Sequence, residues 1–226
     1  ESSGMKQVLV GLQPQNLEDV IALISLYRPG PMDSIPTYLR NRHEPDKISY
    51  KTPQLAHILD VTNGCIVYQE QVMQIFRELA GFSFGQADNV RRAMSKKKHA
   101  VMEAEREHFV HGCTEPGHEC PGCVANGISE KVANEIYDEM SSFASYAFNK
   151  SHAACYAYVA FQTAYLKCHY PSEFMAALLT SVLDNTDKVI EYSGECARLG
   201  IKVLPPDVNI SVSYTHLRAH ETLRHL

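Results

Sequence analysis

Five cations stand within eight residues, Arg91, Arg92, Lys96, Lys97 and Lys98, and no acid lies between them. The rest of the chain leans the other way, with 21 Lys+Arg against 26 Asp+Glu overall. The stretch from Asp88 to Lys98 lacks Gly and Pro and is rich in good helix formers, so it reads as a helix. At helical spacing Arg91, Ser95 and Lys98 share one face, and Arg92 with Lys96 forms the adjacent ridge. Like charges one turn apart repel by roughly a few tenths of a kcal/mol per pair unless an anion sits opposite. A polyphosphate suits such a face, because Arg offers a planar fork and Lys a point charge. A solvated surface helix is the simpler alternative.

A second candidate for anion binding is Asn149-Lys150-Ser151-His152, just ahead of the most apolar run, Ala153 to Leu166. A helix beginning there presents unpaired N–H groups and a positive dipole end, and Lys, Ser and His add donors around the same point. The plainer reading is a helix cap, Asn149 or Ser151, with Lys150 in solvent. Two anion-binding features in one chain favour one shared phosphate ligand.

The third candidate is Cys113, Cys120 and Cys123, spaced C-x6-C-x2-C with His118 between them. Three Cys and one His make a tetrahedral Zn2+ set, and Pro116-Gly117 and Pro121-Gly122 supply tight turns. An unmetallated loop and a redox pair stay open beside it. No pattern provides a nucleophile, a metal-binding carboxylate pair or a Walker-type loop. These residues point to binding rather than to transformation.

The elements that must position them are mostly helices. Asn16 caps a helix over 17–26, and Tyr27-Arg28-Pro29-Gly30-Pro31 makes a stiffened loop that restricts Arg28. Ile35 to Arg42 and Gln54 to Leu59 read as short helices, the second capped by Thr52. Gln69 to Ala80 is amphipathic, with Val72, Ile75, Phe76 and Leu79 on one face, and it stops at Gly81. Helices follow over His99 to His111, Ser129 to about Phe143, the apolar run to about Cys168, Pro171 onward, and Thr186 to Gly200. Pro171 sits at a first helical position. Cys65-Ile66-Val67-Tyr68 is a brief strand or bridge, and Ile201 to Leu204 a short strand. The fold class is mainly α, and the apolar run is expected to be a buried helix.

Composition bounds the rest. The 226 residues are 45% hydrophobic and 21% charged, enough for one large domain or two small ones. A net charge of -5 excludes a globally basic nucleic-acid coat, so any polyanion contact is local. No signal peptide is visible, and no apolar run is long enough to cross a bilayer. An odd count of 7 cysteines without a secretory signal points to reduced thiols and a cytoplasmic setting. The chain starts at Glu1 rather than Met, which suggests a piece of something longer.

Several blocks together resemble the bacterial C-family replicative polymerases, the alpha subunits of DNA polymerase III. They are Glu1-Ser2-Ser3-Gly4-Met5-Lys6, Tyr27 to Pro31, Tyr68-Gln69-Glu70-Gln71-Val72-Met73, and Arg91-Arg92-Ala93-Met94 with Lys96 to Lys98. Phe148 to Ala154, His169 to Ala177 and Leu204-Pro205-Pro206-Asp207 continue the series in the family's order. The resemblance implies that residues 1–15 close the palm and that 16–211 form the fingers, with a Cys-rich insertion at 112–123. It further implies that Arg91 and Arg92 bind the triphosphate of an incoming deoxynucleotide. Ser95, Lys96, Lys98, Asn149, Lys150, Ser151 and His152 then surround the same pocket.

In the family the catalytic aspartates and the Mg2+ they hold belong to the palm, which the resemblance places upstream of Glu1. No catalytic residue is therefore expected in this segment, which by itself should be inactive. The implied partners are primer-template DNA and deoxynucleoside triphosphates, with a sliding clamp contacted through other regions and no membrane. A nucleotide- or nucleic-acid-binding module and a zinc-stabilised interaction domain are the alternatives. Residues 212–226 resemble a translated transposase-adapter sequence read through in frame, so the His216 and His220 pair is weak as a metal site.

Overall fold

The computed structural model describes residues 3–28, 30–96, 99–144 and 148–205. The elements are α1 (Ser3–Leu12), α2 (Leu17–Leu26), α3 (Ile35–His43), α4 (Ala56–Leu59), α5 (Gln69–Ala80) and α6 (Phe84–Ser95). They continue as α7 (His99–His111), α8 (Gly122–Ala125), α9 (Glu130–Ala144), α10 (Lys150–His169), α11 (Pro171–Ser181) and α12 (Thr186–Arg198). Short 3-10 turns join α2 to α4 and follow it. Among the described residues there are only isolated bridges, Tyr68 with Phe148 in parallel and Cys113 with Cys120 in antiparallel, so the mainly α class holds.

The expected strand at Cys65–Tyr68 reduces to the single bridge at Tyr68, and Ile201 to Leu204 is irregular. In each case the extended stretch has no partner strand among the described residues, so no ladder forms there. Two helices were not foreseen, α1 and the single turn α8. The cap at Asn16 behaves as its residue type demands: its Oδ1 accepts the Asp19 N–H at 3.0 Å. Ser83 caps α6 in the same way, and Gln86 returns a bond to the Ser83 N–H at 2.7 Å. Helix α6 ends at Ser95 with Lys96 at its C-cap, and Lys97 and Lys98, expected in the same helix, lie outside the described residues.

The chain divides into two compact units, the first up to Ala157 and the second from Tyr158 onward. The first has two apolar cores. In one, α5 sets Phe76 against Phe82, Phe109 and Tyr137, with ring centroids 5.3, 4.9 and 6.0 Å away. The other joins Leu12, Leu23, Leu26, Ile35 and Tyr38 to Val67, Tyr68, Ala153 and Ala157. The start of α5 and the start of α10 are therefore fixed in one core. In the second unit, Met175 and Leu179 of α11 pack with Cys196 of α12.

Helix α10 corrects an expectation. It was read as buried, yet Ala153 and Ala157 are its buried residues. Tyr156, Tyr158, Val159, Phe161, Tyr165 and Leu166 are exposed. Its apolar residues face all ways instead of forming one stripe, so a neighbour on one side covers only a fraction of them. No described helix is long and apolar enough to cross a membrane.

Candidate functional site

The site is assembled by one backbone contact between stretches 80 residues apart. The Phe148 N–H donates to the Val67 carbonyl at 3.4 Å, and the Gln69 N–H donates to the Phe148 carbonyl at 3.0 Å. This sets the first turn of α5 beside the first turn of α10. Gln71 locks the approach: its Oε1 accepts the N–H groups of Val67 and Tyr68 at 2.9 and 3.0 Å. Its Nε2 donates to the Ile58 carbonyl and to Thr62 Oγ1 at 3.1 and 2.7 Å. A buried amide with every such group satisfied is a rigid support.

Helix α6 packs on α5 and brings Arg91 to the same place, where its Nη1 donates to Gln69 Oε1 at 3.0 Å. The result is a cleft of about 490 Å³ whose lining includes Gln69, Glu70, Phe84, Asp88, Arg91 and Asn149. Several of its charges are already paired, while Arg77, which also lines it, lies over the Phe84 ring at 5.8 Å. Asp88 Oδ1 accepts from Arg91 Nε at 3.0 Å and Nη2 at 2.7 Å, and Asp88 Oδ2 lies 2.8 Å from Arg92 Nε. The hydrogen bond from Arg91, together with the charges of both arginines, holds the Asp88 carboxyl below the usual carboxylate range despite partial desolvation. Across the cleft, Glu70 accepts from Asn149 Nδ2 and from the Lys150 N–H, each at 3.2 Å.

The expected site residues separate as follows. Arg91 and Asn149 line one cleft, and Arg92 joins it through Asp88 while its side chain stays 65% exposed. Asn149 is the helix cap, accepting the His152 N–H at 2.9 Å. The Lys150 ammonium turns to Glu18 at 3.0 Å and sits over the Tyr68 ring at 5.3 Å. Ser151 is exposed, and the His152 ring packs on Phe148 at 5.2 Å and Tyr156 at 4.8 Å. Lys96 is exposed just past α6. Lys98 and the Ser95 side chain lie outside the described residues, as does the tail at 212–226.

Three contributors were missed. Asp88 had a usable signal, since it stands three and four residues before Arg91 and Arg92. Glu70 and Gln69 had none, because only the fold sets them against α10 and α6. Arg28 is held as expected of its loop. Its guanidinium lies 4.4 Å over the Phe148 ring, with Nη1 buried and without a hydrogen-bond partner among the described residues.

The cysteine group does not gather as the zinc spacing suggested. Cys113 and Cys120 exchange two backbone hydrogen bonds at 2.9 Å, and the Cys120 thiol points to the His108 carbonyl at 3.6 Å. Cys123 is fully buried in the aromatic core, and burial pushes its thiol up to about 12. Among the described residues no three His, Cys, Asp or Glu side chains converge where a metal could be held, His118 with these cysteines included. The insertion is instead a packed plug. Gly112 and Gly122, at φ 87 and 79, lie back to back, and a Cβ on Gly112 would meet the Pro121 carbonyl oxygen at 2.5 Å.

Comparison with known proteins shows the family to which the chain belongs. The chain is 50% identical over 216 residues to the DNA polymerase III subunit alpha of Thermus aquaticus, covering 93% of this chain and 17% of that one. It is 47% identical over 216 residues to the same-named protein of Pasteurella multocida, covering 92% and 18%. For that of Bacillus subtilis the identity is 47% over 211 residues, covering 93% and 18%. The chain thus spans less than a fifth of these relatives. Residues 1–117, just over half of the 226, match the family model described as bacterial DNA polymerase III alpha subunit finger domain, and the chain belongs to that family.

Proposed function

We propose that this chain is the fingers segment of a bacterial replicative DNA polymerase and that it binds the triphosphate of the incoming deoxynucleotide beside the template. One observation carries the reading: Arg91 and the Asn149 cap of α10 open on a single cleft, although 58 positions separate them in the chain. Guanidinium forks and helix N-termini both suit phosphate oxygens, the first through bidentate charge-assisted bonds and the second through free N–H groups and the dipole. In this reading Arg91 and Arg92 take the phosphates. Ser95, Lys96, Lys98, Lys150, Ser151 and His152 complete the positive surroundings, residues 1–15 close the palm, and 16–211 form the fingers.

Template-directed nucleotidyl transfer needs carboxylates that hold Mg2+, which stabilises the attacking and leaving oxygens. We assign the metal to the palm of the longer polypeptide, and to this chain the work of binding and orienting phosphates. Primer-template DNA and deoxynucleoside triphosphates are the partners this implies, with the sliding clamp reached through other regions.

The test is Arg91→Ala in the full-length polymerase. Hydrogen bonds to charged groups contribute about 1.5–3 kcal/mol each, so kcat/KM for the nucleotide should fall about 10- to 100-fold. An unchanged kcat/KM removes Arg91 from the site.

A further inference from the structure

Both phosphate-seeking features of the cleft are already engaged by carboxylates of the chain itself. Asp88 spans Arg91 Nε and Nη2 with one oxygen and faces Arg92 Nε with the other, at 3.0, 2.7 and 2.8 Å. Glu70 sits at the start of α10, 3.2 Å from Asn149 Nδ2 and from the Lys150 N–H. Gln69 connects the two halves, being adjacent to Glu70 and bonded to Arg91 Nη1 at 3.0 Å. Each carboxylate thus meets donors of the type that phosphate oxygens take.

We propose that Asp88 and Glu70 are internal counter-anions that hold these donors in the ligand-free chain and are displaced by a polyphosphate. The proposal rests on the phosphate-binding reading of the cleft and deepens it. Asp88 lies three and four residues before Arg91 and Arg92 and bonds both, so it keeps both guanidinium groups in place. Each acid is close to water: Glu70 is exposed and the Asp88 side chain is 22% exposed. A change of one rotamer therefore rehydrates the carboxylate when it leaves. A single phosphate replaces one acid. A ligand with several linked phosphates replaces both, which makes the cleft selective for polyphosphate over orthophosphate.

Glu78 provides the control. It lines the same cleft, but its oxygens bind Gln74 Nε2 at 2.7 Å and His57, and neither of these belongs to the phosphate-seeking set. It carries the same charge without occupying the ligand's place.

The experiment titrates the whole 226-residue chain with inorganic tripolyphosphate at low salt by calorimetry, with helicity checked for each variant. Asp88→Asn and Glu70→Gln should each bind about 5- to 30-fold tighter than the parent, the charge-assisted bonds being discounted for their exposure. Glu78→Gln should change affinity by less than about 2-fold, since its exposed carboxylate holds none of the phosphate-seeking donors and is screened by solvent. Arg91→Ala and Arg92→Ala should weaken binding, and orthophosphate should bind far less well than tripolyphosphate. If the arginine variants weaken binding but Asp88→Asn and Glu70→Gln do not tighten it, or Glu78→Gln tightens it equally, displacement is wrong and the phosphate reading survives. If the parent binds no tripolyphosphate, or binding ignores both arginines, the phosphate reading itself fails and takes this proposal with it.

Discussion

Gln71 shows how much one buried side chain can hold. Its amide satisfies two backbone N–H groups, one carbonyl and the Thr62 hydroxyl, and it fixes the strand-like approach to α5. Gln71→Ala strands those groups in a dry interior. It should lower unfolding free energy by about 2–4 kcal/mol, measured by urea denaturation. A loss below about 1 kcal/mol would mean that water replaces the amide freely. Asp88 gives a pH signature at the same scale. Its carboxyl is lowered in the folded chain, so its contribution is complete above the unfolded carboxylate value of about 3.9 and is lost as pH falls through the lower folded value. Asp88→Asn should therefore be less stable than the parent at pH 6, by about 0.5–1 kcal/mol, with the gap closing below about pH 4. A gap that widens in acid would contradict the ion pairs.

Elements meet here through small residues. Helix α10 docks by Ala153 and Ala157, four positions apart, which lets its first turn come close to α5. The Cys-rich plug closes in the same spirit, through the backbones of Gly112 and Gly122. Gly122→Ala has to place a Cβ into the Gly112 backbone at a φ of 79. It should destabilise the chain by about 2 kcal/mol or more in urea denaturation, with helix content retained. Stability equal to the parent would show that the plug yields.

The whole chain has a division of thiols that chemistry can read. Cys155 and Cys168 are exposed on α10, whereas burial pushes Cys65 up to about 11 and Cys123 to about 12. At pH 8 an aromatic disulfide reagent should label Cys155 and Cys168 first, followed by mass spectrometry, and reach Cys65 and Cys123 only on unfolding. Early labelling of Cys123 would overturn its burial. At the same scale, the chain alone should not extend a primer, since the proposed role is phosphate binding and the metal is assigned to the palm of the longer polypeptide. Primer extension that disappears when an Asp or Glu of this chain is changed would refute the assignment of the metal elsewhere.

Local rules account for what was legible in residue order. Asn16 capped its helix, α5 ran from Gln69 to Ala80 and stopped at Gly81, and Pro171 opened α11, because caps, periodicity and breakers act within a turn or two. The basic cluster and the Asn149 cap were visible as residue types for the same reason. The cleft that Arg91 and Asn149 share depends on the Tyr68–Phe148 bridge, which joins stretches 80 positions apart and has no local signature. So do the carboxylates that meet those donors. Glu70 is an ordinary first-turn acid of α5 until α10 arrives beside it. Cys spacing looked like a metal knuckle, but whether thiols face one another or the core is set by packing, and here Cys123 went to the core. Residue order determined the helices and the chemical vocabulary of the site; tertiary packing decided which donor meets which acid, because a charge is assigned its partner only when the chain brings distant turns together.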